Sequence, residues 1–262
     1  MAGNEIEIAR FLLDNRGKVT LKHIGLVETV GAPSSGGGFT EVNSVAELQL
    51  ISTEAADKKA DIYINGLGTS LKQAGASFSF NRLQRAELSE LLSAVGFADP
   101  AEKLRRIDKE VDDFHHGLLE RRNRPWQCIF TEDEFKLLMK FLMMEASPNL
   151  GKSTHPAALI LEAPRIGISE QNIRVFTFEE YFDTFKPNLF VALRRQWIGQ
   201  SSNSEHRRAT GLARKPGNAP WVYGSIAGMP KISKTTGKRW RDDVEEGDRK
   251  TVYIIFIEKA GK

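Results

Sequence analysis

The sequence of 262 residues contains a single cysteine, Cys128. One thiol excludes an internal disulfide and any cysteine-rich zinc knuckle, and Cys128 reads as a small buried hydrophobe. Histidine is also scarce: His23, His115, His116, His155 and His206 form no H-x-x-x-H pair and no H-x-K. No apolar run approaches the roughly 20 residues that a membrane crossing needs. The opening Met1-Ala2-Gly3-Asn4-Glu5 lacks the basic and apolar regions of a secretory signal, so a cytoplasmic protein is expected. Ala32-Pro33-Ser34-Ser35-Gly36-Gly37-Gly38 lacks the G-K-[ST] ending of a phosphate loop. It reads as a connector, and no nucleotide cofactor is expected. The absence of a nucleophile elbow argues against a serine hydrolase.

What the sequence does hold is a lopsided charge. The formal net charge is only +3. Residues 1–192, however, carry 22 Lys/Arg against 27 Asp/Glu, a net of −5, and residues 193–241 carry 11 Lys/Arg against the single acid Glu205, a net of +10. A block this one-sided calls for an anionic partner. It is interleaved with Trp197, Trp221, Tyr223 and Trp240, which a disordered tail would lack, so a nucleic-acid surface is expected. The groups suited to base edges or phosphates are Arg194, Arg195, Asn203, Arg207, Arg208, Arg214, Lys215, Asn218, Lys231 and Lys234.

The apolar pattern alternates between helical and extended periods, which predicts a mixed α/β (α+β) chain with a central mixed sheet flanked by helices. Helices are expected over residues 5–15, over 83–95 closed by Gly96, after the Asp99-Pro100 cap, behind the Thr131-x-x-Glu134 capping box, and over 179–185. Strands are expected over 45–53, 59–64, 69–73, 77–80, 157–161 and 173–178. A last strand, 251–257, is expected to complete the sheet. The division expected is a catalytic core over 1–192 and a basic recognition region over 193–262.

Within the core, Ala60 to Ile64 and Thr69 to Gln73 read as two strands around the tight-turn pair Asn65-Gly66. Folding them together brings Asp61 close to Lys72, and Ser70 and Lys72, two apart, share a face. A carboxylate beside an ammonium on a sheet edge can hold a divalent cation and orient a water. This arrangement resembles the core of the PD-(D/E)xK nucleases, the superfamily of most type II restriction endonucleases. Ala60 stands where that family has proline, and Ser70 where it has an acid. The resemblance covers about residues 44–94.

The resemblance implies a restriction-endonuclease-like fold, a site-specific deoxyribonuclease acting on double-stranded DNA, and one or two Mg²⁺ per site. It implies a bacterial or archaeal restriction system with a cognate DNA methyltransferase, and a homodimer matching a palindromic site. Asp61 is then the metal ligand and Lys72 the group that orients or activates water. Ser70 adds at most a neutral oxygen or a hydrogen bond and is not expected to be the metal ligand that the usual acid would be, and Gln73 could touch the phosphate. One aspartate undercompensates a divalent cation, so a second carboxylate is expected. Glu47, read as lying on the preceding strand, is the first choice, with Glu28, Glu41 and Glu54 open. A repair or recombination nuclease on the same core, or a DNA-binding protein without catalysis, is the alternative.

Overall fold

Helix α1 (Asn4–Asp14) forms because Ile8, Ala9, Leu12 and Leu13 recur on one face and are buried. The structure is a computed structural model that describes residues 4–52, 58–75, 78–146, 151–224, 237 and 239–259. Lys231, Lys234 and Glu54 lie outside the described residues. The fold is mixed α/β, and the chain divides into two units: residues 1–78 with 136–188, and residues 79–135 with 189–259. The boundary expected at 192/193 is thereby replaced by a discontinuous one. The physical reason lies in the strand pairing, because segment 79–135 supplies strands to the same sheet as the C-terminal part.

In the first unit α1 is followed by the small hairpin of β1 (Thr20–Leu21) and β2 (Gly25–Leu26), then by β3 (Val30–Pro33) and β4 (Phe39–Glu41). The expected strand over 45–53 is instead helix α2 (Val45–Ser52). Its apolar residues suited either structure, but Ser44 and Glu47 carry a helix start. The Ser44 hydroxyl accepts from the Glu47 N–H (3.2 Å), and the Glu47 carboxylate accepts from the Asn43 N–H (2.8 Å). Strands β5 (Ile62–Ile64) and β6 (Leu67–Gln73) follow.

The chain then enters the second unit with β7 (Phe78–Leu83), α3 (Arg85–Val95), α4 (Pro100–His115) and β8 (Asn123–Pro125), and passes through α5 (Glu132–Lys140) to β9 (Leu159–Ala163), β10 (Arg174–Phe176) and α6 (Phe178–Phe185) of the first. It finishes the second unit with β11 (Leu189–Ile198), α7 (Asn203–Ala213), β12 (Val222–Tyr223) and β13 (Lys250–Lys259).

The first unit's sheet has the order β10–β9–β6–β5–β3–β4. Only β6 and β9 are parallel; every other pair is antiparallel. One face carries Val30, Ile62, Ile64, Leu71 and Leu161 into a core shared with Ile8 and Leu12 of α1 and Leu48 of α2. The second unit's sheet runs β12–β13–β11–β8, with β7 also on β13. Strands β11 and β13 pair along ten residues each. The last strand therefore completes this second sheet and not the one holding the hairpin, which corrects the expectation for 251–257. Cys128 is exposed and not buried. It ends a single helical turn whose other end, Trp126, is buried and stacks on Phe135 at 4.8 Å.

Candidate active site

Asn65 and Gly66 have φ of 49° and 79°, the positive values that a two-residue hairpin turn demands. The Asn65 side chain ties this turn back to the preceding chain. Its Oδ1 accepts from the Glu28 and Thr29 N–H groups at 2.9 and 3.0 Å, and its Nδ2 donates to the Leu26 carbonyl at 2.7 Å. Ile62 pairs with Thr69 and Ile64 with Leu67, so Asp61 comes opposite Ser70. Ile62, Ile64 and Leu71 face the core, and Asp61, Ser70 and Lys72 share the other face.

On that face the three predicted residues form one hydrogen-bonded chain. Lys72 Nζ donates to Ser70 Oγ at 2.8 Å, and Ser70 Oγ donates to Asp61 Oδ2 at 3.3 Å. The same Oδ2 accepts from the Leu71 N–H at 2.7 Å, and Lys72 Nζ reaches the Leu71 carbonyl at 3.1 Å. The serine explains why the link is a relay. A hydroxyl accepts from the ammonium and donates to the carboxylate at once, whereas a second carboxylate could only accept and would repel the first. Ser70 is buried, with Asp61 and Lys72 partly so.

Four further side chains stand around this chain that the sequence reading passed over. Burial lowers the Lys58 and Lys59 ammonium pKa values; Lys72 lowers that of Lys59 further, and Asp61 opposes the shift at both. Lys58 also feels Glu5 of α1. The doublet Lys58-Lys59 just before Asp61 was a usable signal; nothing local marked Glu5. Glu162 is the register partner of Lys72 on the parallel strand β9. It is fully buried and answered by Arg174 Nη2 at 2.9 Å and the Tyr181 hydroxyl at 3.4 Å. Its signal was a single charge inside Leu159-Ile160-Leu161-Glu162-Ala163. Burial raises the Tyr181 pKa, and Glu162 adds to the shift.

The donors gathered here are all oxygens: the Asp61 carboxylate, the Ser70 hydroxyl and the Leu71 carbonyl. Lys72 Nζ already lies on the hydroxyl and the carbonyl, so the Asp61 carboxylate is the group left to a hard cation of the Mg²⁺ type. Among the described residues no group of three or more His, Cys, Asp or Glu side chains converges. Glu47 does not lie on a strand beside Asp61, and its carboxylate closes the start of α2. Glu28 and Glu41 are exposed. Gln73 alternates away from Lys72 and is exposed at the end of β6.

The second unit holds the basic residues, and it sorts them. Asn203, Arg207 and Arg214 lie along the exposed side of α7 and its end, opposite the buried Ala209 and Leu212. Arg208 is half-buried. Arg194 pairs with Glu258, and Lys215 with Glu87 at 3.0 Å. Arg195 donates to the Tyr253 hydroxyl at 3.0 Å and lies over the Phe114 ring. Asn218 is buried: its Oδ1 accepts from the Ala86 N–H at 2.8 Å, and its Nδ2 donates to the Leu212 carbonyl at 3.0 Å. It fastens the chain and is not placed to read a base edge. Two of the interleaved aromatics are likewise structural. Trp221 is buried and donates to Asp108, and Tyr223 stacks on His115 at 3.8 Å. In comparisons with family models, with curated proteins and with solved structures, nothing matches the chain.

Proposed function

We propose that this protein is a Mg²⁺-dependent endonuclease that hydrolyses phosphodiester bonds at specific sequences in double-stranded DNA, as type II restriction enzymes do. The observation that carries the reading is the chain Lys72–Ser70–Asp61 on the polar face of a hairpin in the middle of a mixed sheet.

Asp61 would hold the cation, with water and phosphate oxygens completing its shell. A bound Mg²⁺ supplies an acidified water and neutralises charge on the scissile phosphate. Lys72 orients the attacking water and offsets the charge growing on the phosphate oxygens. Lys58 and Lys59, both in the field of Asp61 beside this chain of groups, serve as phosphate holders. Exposed Arg207 and Arg214 hold the DNA backbone. A homodimer matching a palindromic site and a companion methyltransferase protecting host DNA belong to the same reading.

The test is digestion of phage DNA with wild-type protein and with Lys72→Ala, in Mg²⁺ and in EDTA. Discrete fragments from the wild type in Mg²⁺ alone are expected. A smear or structure-dependent cutting would favour a repair nuclease, and intact DNA in Mg²⁺ would leave a DNA-binding protein.

A further inference from the structure

Two concavities of the second unit meet along the latter half of β11. One, of about 400 Å³, is lined by Arg122, Arg194, Arg195 and Glu205 among others. The other, of about 580 Å³, shares Arg194, Arg195 and Glu205 and adds Arg82 and Arg208. Strand β8 covers β11 only as far as Ala192, and from Arg194 onward β11 is half-buried, so the two open into one groove over its free edge. Strand β7, which carries Arg82, pairs with β13, and β13 pairs with β11. Neighbouring strands lie about 4.8 Å apart, so the groove extends roughly 10 Å across the sheet. That matches the rise of about three nucleotides at roughly 3.4 Å each, and exceeds what one small anion fills.

Five arginines line this groove against one lining acid, Glu205. Arg194 is matched by Glu258, and Arg195 is held by the Tyr253 hydroxyl at 3.0 Å. Among the described residues Arg82, Arg122 and Arg208 have no acidic partner, and Arg82 and Arg122 are exposed. A guanidinium stays charged at any ordinary pH, and its planar fork meets phosphate oxygens two at a time. The aromatic rings decide which phosphate chain fits. Phe114 carries Arg195 over its ring at 4.3 Å, and Phe256 carries Arg194 at 5.9 Å. Trp197, the third ring of the lining, is half-buried. Single-stranded nucleic acid is held by bases that stack on open ring faces. Here guanidinium groups take those faces, so the groove offers charge and not a stacking platform. A second copy of this chain would bring arginine against arginine. The complement is a row of phosphates whose bases are already stacked on one another, as in a duplex.

We propose that this groove holds the phosphodiester backbone of duplex DNA, with Arg82, Arg122 and Arg208 on phosphates, and that it does so whatever the base sequence. Arg82 and Arg122 lie outside the basic block of residues 193–241, so the DNA surface draws on the earlier half of the chain as well. Contacts of this kind fix the position of a duplex without reading it. The inference rests on the DNA-binding part of the reading above and is independent of the chemistry at Lys72.

The test is fluorescence anisotropy in EDTA, over a range of salt, with two short duplexes of unrelated sequence and with one of their single strands. The proteins are wild type, Arg82→Gln, Arg122→Gln, Arg208→Gln and, as a control, Arg105→Gln, which removes an exposed charge of α4 that does not line the groove. Each groove variant should flatten the slope of log K against log salt by about one unit, equally for both duplexes, and Arg105→Gln should leave it unchanged. The exposed side chains of Arg82 and Arg122 can be lost without a folding defect, so these two variants keep the test sound if Arg208→Gln proves unstable. The single strand should bind more weakly than its duplex. Equal flattening in Arg105→Gln, tighter binding of the single strand, or an effect confined to one duplex overturns the proposal. Duplex binding that ignores all three groove variants removes this inference and leaves the DNA reading, whereas absence of duplex binding removes both. Groove-dependent binding by a protein that does not cut in Mg²⁺ supports the groove and removes only the nuclease.

Discussion

In the first unit the sheet buries one face, and on the other it ties its polar groups together: Lys72 to Ser70, Ser70 to Asp61, and Glu162 to Arg174 and Tyr181. In the second unit the cations divide. Arg194 and Lys215 are matched by Glu258 and Glu87, whereas Arg207 and Arg214 stand exposed on α7. Linked groups of opposite charge suit chemistry, where geometry must be held fixed. Exposed cations suit recognition, because their counter-charge arrives with the ligand. If the two units divide the work in this way, damage to one should leave the other's property intact.

The largest effect expected is on catalysis. Asp61→Asn and Lys72→Ala should each lower the cleavage rate by about 10³-fold or more in a plasmid assay, with DNA affinity within about twofold of wild type. Asn preserves the acceptor for the Leu71 N–H, so the strand stays fastened while the charge is lost. Parallel losses of rate and affinity would merge the two roles. The next effect belongs to the second unit. Neutralising Arg207 and Arg208 together should flatten the slope of log K against log salt by about two units and leave the rate on saturating DNA unchanged. An unaltered slope would detach α7 from DNA.

Most helix and strand positions were legible in the sequence, since capping residues and apolar periods state them locally. The hairpin was legible, with Asp61 near Lys72 and Ser70 on the face of Lys72, because Asn65-Gly66 marks the turn; that Asp61 falls opposite Ser70 is a fact of the register. Helix α2 was misread because Leu48 and Leu50 alternate as in a strand while Val45, Leu48 and Ile51 recur at helical spacing, and Ser44 with Glu47 decides. That error carried Glu47 into the site. The basic block was read as one surface. Its partners Glu87 and Glu258 lie on distant stretches of chain, so the pairing that splits the block is a tertiary fact. The buried state of Asn218 and Trp221 was hidden for the same reason.

Asn218 sharpens that distinction. If it fastens the second unit, Asn218→Ala leaves the Ala86 N–H and the Leu212 carbonyl without their partner, a loss of about 1–3 kcal/mol of stability. Thermal melts should show the drop, while the folded fraction binds DNA with wild-type affinity and salt slope. A weaker slope at unchanged stability would return Asn218 to the DNA surface.

The smallest effect expected comes from an exposed cluster in the first unit and tests whether fixed charge there is structural at all. Glu180 accepts from Lys22 Nζ at 2.6 Å, His23 Nε2 at 2.7 Å and the Thr177 N–H at 3.1 Å. These bonds, that from Lys22 foremost, hold its carboxyl down to about 2. A carboxyl depressed by folding stabilises the native state at pH values above its ordinary pKa of 4.5, and that contribution is lost as the pH falls from there toward 2. Glu180→Gln keeps an acceptor for the Thr177 N–H, so the start of α6 survives and only the charge goes. At pH 6 the variant should melt within about 3 °C of wild type, because exposed pairs contribute little. Between pH 4.5 and 2 its Tm should fall less steeply than the wild type's, and added salt should narrow the difference. Identical slopes in the two proteins would show that the Lys22–His23–Glu180 cluster adds nothing to stability, leaving the buried Glu162 ion pair as the charge that holds this sheet.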